Sequence, residues 1–141
     1  MTHRFTIPGR PQAWARARST VRPGKDGKLK PFFFKSSKIV SHEAKVSSYY
    51  LESGGQLNAG PVQVTIWAYF PRPKRLMRRA DPDGAMYMPG RPDSDNLIKQ
   101  IGDALNGVAW VDDSLIVDAY VRKRYHEKAG APRTEVEIIN L

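Results

Sequence analysis

The amino-acid sequence predicts a single α+β domain, in which a mixed β-sheet is packed by two helices on one face. Its 141 residues suffice for one modest core and are too few for two domains. Residues 62–70 alternate between apolar and polar side chains, which is typical of a strand with one buried face. Two segments, about 36–53 and 93–106, repeat their apolar residues with the period of a helix. We therefore expect one domain over residues 1–141, in the order strand, hairpin, helix, strand, helix, strand, strand.

The N-terminal part begins with a strand and continues into a basic arm. Residues 4–8 alternate as a strand, and the turn sequence Pro8-Gly9-Arg10-Pro11 ends it. From Trp14 to Arg22 the arginines fall on one side of an extended chain, and Asp26-Gly27 is a strong hairpin signal. The arm, about residues 10–35, is predicted to be either an ordered hairpin or a flexible segment that orders on DNA.

Three consecutive aromatic residues, Phe32-Phe33-Phe34, lie at the end of this arm. We expect these rings to pack in a core strand, because large aromatic side chains are usually buried. The alternative is a wedge that unstacks nucleic-acid bases at a branch point.

The middle of the chain contains the first helix, the clearest strand and a long loop. Ser36 or Ser37 is the expected N-cap of the helix, and Gly54-Gly55 is its expected end. After the strand at 62–70, residues 71–92 are rich in Pro, Gly, Met and Arg, and we expect a long basic loop there. The last two strands are predicted at residues 115–125 and 133–139.

Positive charge is clustered along the chain, which has a net charge of +9 and a pI near 10.0. Residues 1–40 contain ten Lys or Arg against the single acid Asp26, and residues 71–80 contain five and no acid. Such clustering indicates a polyanionic partner, with nucleic acid ahead of an anionic membrane surface. The residues predicted to contact DNA phosphates are Arg16, Arg18, Arg22, Lys25, Lys28, Lys30, Arg72, Lys74 and Arg75.

The composition excludes several kinds of chemistry. The chain has no cysteine, so it has no disulfide, thiolate metal site or cysteine nucleophile. Its three histidines are scattered without the spacing of metal ligands. No long apolar run or secretory signal is present, so we expect no membrane partner and a cytoplasmic location.

Residues 91–118 contain the second helix and most of the candidate functional residues. Pro92 cannot lie inside a helix, so the second helix begins after it, with Asp93, Ser94 or Asp95 as its N-cap. Gly107 is the expected left-handed stop. The apolar residues of this helix fall on one side, and its polar residues share the opposite side, namely Asp95, Lys99, Asp103 and Asn106.

Asp93 and Asp95 are spaced so that both carboxylates can meet one cation where the extended chain enters the helix. Mg²⁺ prefers oxygen ligands, usually one or two carboxylates with water and substrate phosphate. Lys99, one turn after Asp95, could stabilise charge that develops on a phosphate. Asp112 and Asp113 are further candidate ligands. Because Asp113 follows the far end of the helix, either the connection folds back or a second subunit supplies this carboxylate.

A simpler interpretation assigns these acids to ordinary caps, turns and surface ion pairs. The Asp81-Pro-Asp83 sequence in the long loop is assigned to a turn, because no helix or lysine follows it. A functional site is favoured near Asp93 by the combination of Asp-x-Asp, a lysine and an Asp pair in one stretch of a basic chain.

The segments Arg91-Pro-Asp-Ser-Asp-Asn-Leu-Ile-Lys99, Asp103-Ala-Leu105 and Trp110-Val-Asp-Asp113 resemble the core signature of the RusA-type Holliday junction resolvases. These are small metal-dependent endodeoxyribonucleases of bacteria and their prophages. The resemblance implies that Asp93, Asp95, Lys99 and Asp113 are catalytic. It also implies that the three aspartates bind Mg²⁺, for which Mn²⁺ could substitute.

The resemblance further implies a RusA-like fold and a homodimer, whose two-fold symmetry would match that of a four-way junction. We expect a Mg-dependent endodeoxyribonuclease that resolves Holliday junctions by paired phosphodiester cleavage in DNA recombination and repair. One alternative is a basic DNA-binding module without catalysis. Another is a nuclease of the same chemistry that prefers flaps or replication forks.

Overall fold

Seven strands and two helices make up the structure, a computed structural model that describes residues 1–141. In chain order they are β1 (Thr2–Pro8), β2 (Arg18–Pro23), β3 (Leu29–Phe34), α1 (Ser37–Glu52), β4 (Val62–Phe70), β5 (Met86–Tyr87), α2 (Ser94–Ala104), β6 (Ile116–Tyr125) and β7 (Arg133–Asn140). Five of the strands form one sheet in the order β1-β7-β4-β6-β5. The other two, β2 and β3, pair only with each other.

The larger sheet is mixed, because β4 runs parallel to β6 and antiparallel to β7. Two parallel neighbours need a crossover connection, and the chain between β4 and β6 contains β5 and α2. Strand β1 completes the sheet by pairing antiparallel with β7, Phe5 lying opposite Val136. The crossover therefore carries α2 over one face of the sheet, where it packs against α1 and β6.

The core lies between one face of this sheet and the two helices. Alternate β4 residues Val62, Val64 and Ile66 are fully buried, and they belong to one cluster with side chains of α1 and α2. Fully burying an aliphatic side chain of this size contributes about 1.5–3 kcal/mol to folding. A mixed sheet packed by two helices on one face confirms the predicted α+β fold class.

Local sequence explains where the main elements start and stop. The Ser36 hydroxyl accepts a hydrogen bond from the Ile39 amide at 3.3 Å, so it caps α1 as predicted. Gly54 follows this helix with a φ of +87°, a conformation that favours glycine. Helix α2 ends at Ala104, before the predicted stop at Gly107, although Gly107 does adopt a left-handed φ of +77°.

Within the basic arm, residues 18–34 form a hairpin, which is one of the two predicted alternatives. Its turn is closed by the Asp26 carboxylate, which accepts a hydrogen bond from the Lys28 amide at 3.0 Å. The expected burial of Phe32, Phe33 and Phe34 in a core strand is wrong. Their exposed fractions are 40%, 66% and 39%, respectively. They lie in β3, whose only strand partner is β2, and no helix or second sheet covers them.

The long loop of residues 71–92 is organised around a buried arginine. Arg72 is only 7% exposed, and its guanidinium donates to the carbonyls of Leu76, Pro82 and Gly84 at 2.7–2.9 Å. The predicted contact between Arg72 and a DNA phosphate is therefore wrong, because the hydrogen bonds of its guanidinium go to carbonyls of its own loop. The loop also contributes the short strand β5, which pairs with the end of β6 and was not predicted.

Neither helix combines the length and the apolar character needed to cross a membrane.

Candidate functional site

The N-terminus of α2 presents a carboxylate that does not serve the helix. Asp93 occupies the N-cap position with extended φ and ψ angles of −69° and 150°. Its carbonyl accepts a hydrogen bond from the Asn96 amide at 3.2 Å, but its side chain makes no capping hydrogen bond. An aspartate at this position normally caps the helix with its carboxylate. Asp93 and the exposed Asp95 in the first turn are therefore both available to a ligand.

The chain just before Asp93 is fastened to the sheet by a lysine of β6. The Lys123 ammonium donates to the carbonyl of Gly90 at 2.5 Å and to that of Pro92 at 3.0 Å. Hydrogen bonds from a charged donor are the stronger kind, so they fix the backbone from which the Asp93 side chain projects. Sequence analysis missed this role, because nothing local links Lys123 to a segment some thirty residues earlier.

Lys99, one turn after Asp95, lies against an aromatic ring. Its ammonium nitrogen is 3.7 Å from the centroid of the Trp14 ring. Trp14 is itself held on α2, since its amide donates to the Asn96 carbonyl at 2.9 Å. This cation–π contact restricts the position of the long Lys99 side chain. Trp14 is a second residue of the site that sequence reasoning missed.

The two aspartates before β6 have different tasks. The Asp112 carboxylate accepts a hydrogen bond from the Ser114 amide at 3.1 Å. Hydrogen bonding from the Ser114 side chain, and then from this amide, holds the pKa of Asp112 below its ordinary value. Asp112 is thus the residue that stabilises the turn. Asp113 is exposed and is left as the carboxylate of the pair that can meet a ligand.

The connection after α2 folds back and places Asp113 beside the C-terminal half of that helix. A methyl group added to Gly102 would lie 3.9 Å from the Cβ of Asp113. Burial raises the pKa of the neighbouring Asp103, and the charges of Glu43 and then Asp113 add to this rise. Gly102 and Asp95 lie on the same side of the helix but are about 10 Å apart along its axis. The folding back therefore occurs, although it brings Asp113 to Gly102 and not to the start of the helix.

No three Asp, Glu, His or Cys side chains are grouped closely enough in this chain to hold a metal ion. The expected convergence of Asp93, Asp95 and Asp113 on one ion is thus not found within a single chain. Asp93 and Asp95 alone still fit a hard cation that takes one or two carboxylates and completes its shell with water and phosphate oxygens.

The two acids of the long loop both have partners within the protein. In the long loop, the Asp81 carboxylate accepts from the Arg78 amide at 2.9 Å, which lowers the pKa of Asp81. Its neighbour Asp83 lies 3.7 Å from the Lys128 ammonium. Residues 81–84, which were predicted to form a turn, follow a hydrogen-bonded turn from Arg78 to Asp81 and contain bends themselves.

Most of the cations predicted to contact DNA are on the surface. Lys74 and Arg75 are exposed in a 3-10 turn after β4. The remaining exposed members belong to the arm: Arg16, Arg18, Arg22, Lys25, Lys28 and Lys30. These cations provide surfaces for a phosphate backbone. The carboxylates at the start of α2 form a separate acidic site.

The exposed carboxylates and the lysine of α2, in a basic α+β domain, are the groups that metal-assisted phosphate chemistry uses. The family model described as endodeoxyribonuclease RusA matches residues 8–139. This chain is a member of that family, which confirms the resemblance and implies endodeoxyribonuclease activity. It is also similar to a Bacillus subtilis (strain 168) protein named uncharacterized protein YqaN, with 34% identity over 140 residues, covering 96% of this chain and 94% of the relative.

Proposed function

We propose that this protein is a metal-dependent, structure-selective endodeoxyribonuclease that resolves Holliday junctions by paired phosphodiester cleavage in recombination and repair. The observation that carries the proposal is the Asp93 carboxylate, which stands at an N-cap within the family signature and makes no capping bond. An acid that leaves its helix uncapped forgoes about 0.5–2 kcal/mol of stability. Such a cost is expected where the carboxylate serves a ligand.

Asp93 and Asp95 would hold Mg²⁺, or Mn²⁺ in its place, together with phosphate oxygens. When bound, the metal would polarise the scissile phosphate and lower the pKa of a water molecule. Lys99 would place its positive charge beside the phosphate and stabilise negative charge that develops during cleavage. The positive end of the α2 dipole would also favour an anion at this helix terminus.

The position of Asp113 supports a homodimer as the active species. Within one chain Asp113 lies beside Gly102, about 10 Å along the helix from Asp95. A second copy could bring its own carboxylate to the Asp93 and Asp95 pair. Two sites related by two-fold symmetry would also suit a four-way junction, in which two strands must be cut. The proposed setting is the cytoplasm, and the partner is branched DNA.

The test uses a four-way junction labelled on each strand, incubated with the protein with and without Mg²⁺. Paired nicks near the branch that require the metal support the proposal. Asp93→Asn should bind the junction and leave it intact, whereas the matched control Asp83→Asn, at an exposed acid of the long loop, should cut normally. Full cutting by Asp93→Asn would remove the basis of the assignment.

The same assay separates the two alternatives. A shifted band without cleavage products, with Mg²⁺ or with Mn²⁺, would indicate a DNA-binding module. Flaps and replication forks of matched sequence test the choice of substrate, and faster cutting of either than of the junction would identify a nuclease with the same chemistry and a different preference.

A further inference from the structure

The hairpin of β2 and β3 has two faces of different chemistry. Side chains alternate along a strand, and residues directly opposite in an antiparallel pair share a face. One face therefore contains Arg18, Thr20, Arg22, Lys30, Phe32 and Phe34. The other contains Ser19, Val21, Pro23, Leu29, Pro31 and Phe33, without a single charge.

On the charged face, two aromatic rings form a continuous surface. The rings of Phe32 and Phe34 are stacked, with centroids 6.2 Å apart and planes inclined by 24°. The Arg22 guanidinium lies over Phe32 at 4.1 Å from its centroid. This face is open to solvent, so its rings remain available to a partner.

Charge decides what kind of partner this face suits. Arg18, Arg22 and Lys30 surround the rings, and Asp26 in the turn is the single acid of the hairpin, 3.7 Å from the Lys30 ammonium. A groove or ribbon that combines cations with aromatic rings is the arrangement by which proteins hold unpaired nucleic acid, since phosphates meet the cations and bases stack on the rings. An intact duplex offers phosphates but keeps its bases stacked and inaccessible.

We propose that the face formed by Arg18, Arg22, Lys30, Phe32 and Phe34 binds unstacked DNA bases at the branch point, with Phe32 and Phe34 as the stacking surface. The source of these bases rests on the proposed function, because a branched substrate supplies them. The hairpin would thus distinguish branched from linear DNA, while the site on α2 would supply the chemistry.

The adjacent residue Phe33 offers a matched control, because it lies in the same strand on the opposite face. Phe→Leu keeps apolar volume and removes the flat ring, whereas Phe→Tyr keeps the ring. The variants are Phe32→Leu/Phe34→Leu, Phe32→Tyr/Phe34→Tyr and Phe33→Leu. The probes are a four-way junction with 2-aminopurine at the branch and a linear duplex of the same sequence, both in EDTA.

Loss of both rings should weaken junction binding by about tenfold or more and reduce the quenching of 2-aminopurine, because each stacked base contributes substantially to affinity. Duplex binding should change by less than about twofold, and the salt dependence of binding should stay the same, since no phosphate contact is lost. The Tyr double variant and Phe33→Leu should both behave like the wild type.

The proposal is overturned if Phe33→Leu loses as much affinity as the double Leu variant, which would show an effect on hairpin folding. It is equally overturned if the double Leu variant binds the junction normally, or if it loses junction and duplex binding to the same extent. All binding is measured without metal, so a failure here is distinct from an absence of cleavage in the nuclease assay.

Discussion

The contact between Trp14 and Lys99 predicts how a residue that performs no chemistry should affect cleavage. The ammonium of Lys99 lies 3.7 Å from the ring centroid, and its side chain is otherwise exposed. A cation–π contact at an exposed site contributes about 0.5–1 kcal/mol. If all of this energy serves to hold Lys99 in place for the transition state, Trp14→Ala should slow cleavage by about two- to fivefold.

Lys99→Ala should cost more, by analogy with the loss of one donor to a transition-state anion, which slows reactions by about 10²–10³-fold. The informative measurement is the double-mutant cycle, assayed as single-turnover cleavage of a four-way junction under saturating protein. In the Lys99→Ala background, Trp14→Ala should have no further effect on the rate, because its target is gone. Trp14→Phe should lose less than Trp14→Ala, since a smaller ring remains.

A control is available on the face of the sheet opposite the helices, where the guanidinium carbon of Arg4 lies 5.5 Å from the centroid of the Trp67 ring. Trp67→Ala should lower stability without changing the cleavage rate of folded protein. The reasoning is refuted if Trp14→Ala slows cleavage equally with and without Lys99, because the effect would then pass through another group.

Three further predictions concern single residues. Asp113→Asn should reduce single-turnover cleavage by at least about tenfold, whereas Asp112→Asn should keep cleavage and lower the urea midpoint of unfolding slightly, because only its turn bond is weakened. Arg72→Met should lower the free energy of unfolding by about 1–3 kcal/mol and leave the salt dependence of DNA binding unchanged, whereas Lys74→Ala should reduce that slope by about one. Burial lowers the pKa of His42 from its ordinary value of 6.5, so its protonation favours the unfolded chain. The free energy of unfolding should therefore fall as the pH drops below about 6.5, and His42→Gln should flatten this part of the pH profile; an unchanged profile would contradict the assignment.

The elements that could be predicted are those whose pattern is complete within a few residues. Strand β4 was predicted with its observed bounds, because its period-2 alternation is uninterrupted. The cap at Ser36 and the glycine after α1 are similarly local. Strand order was not predictable, because it depends on which distant segments pair. Phe32 to Phe34 show the same limit, since their apolar character says nothing about whether another layer will cover them.

The candidate site also contains residues that could be predicted from the sequence and residues that could not. Asp93, Asp95, Lys99 and Asp113 stand out because they lie in one short stretch with a recognisable spacing. The groups that hold this stretch come from far away in the chain, as Lys123 does for the carbonyls of Gly90 and Pro92. Arg72 looked like a phosphate contact because composition records charge but not the carbonyls that a Pro-rich loop leaves without donors.

The isolation of the β2–β3 hairpin from the five-stranded sheet affects how this protein can change over evolutionary time. Since none of its strand residues is buried, a substitution there need not be compensated by repacking elsewhere. If the hairpin binds DNA as proposed, its binding preference can diversify independently of the site on α2. Exchanging the hairpin between relatives would then alter which DNA is bound, while the melting temperature of the domain would stay nearly the same.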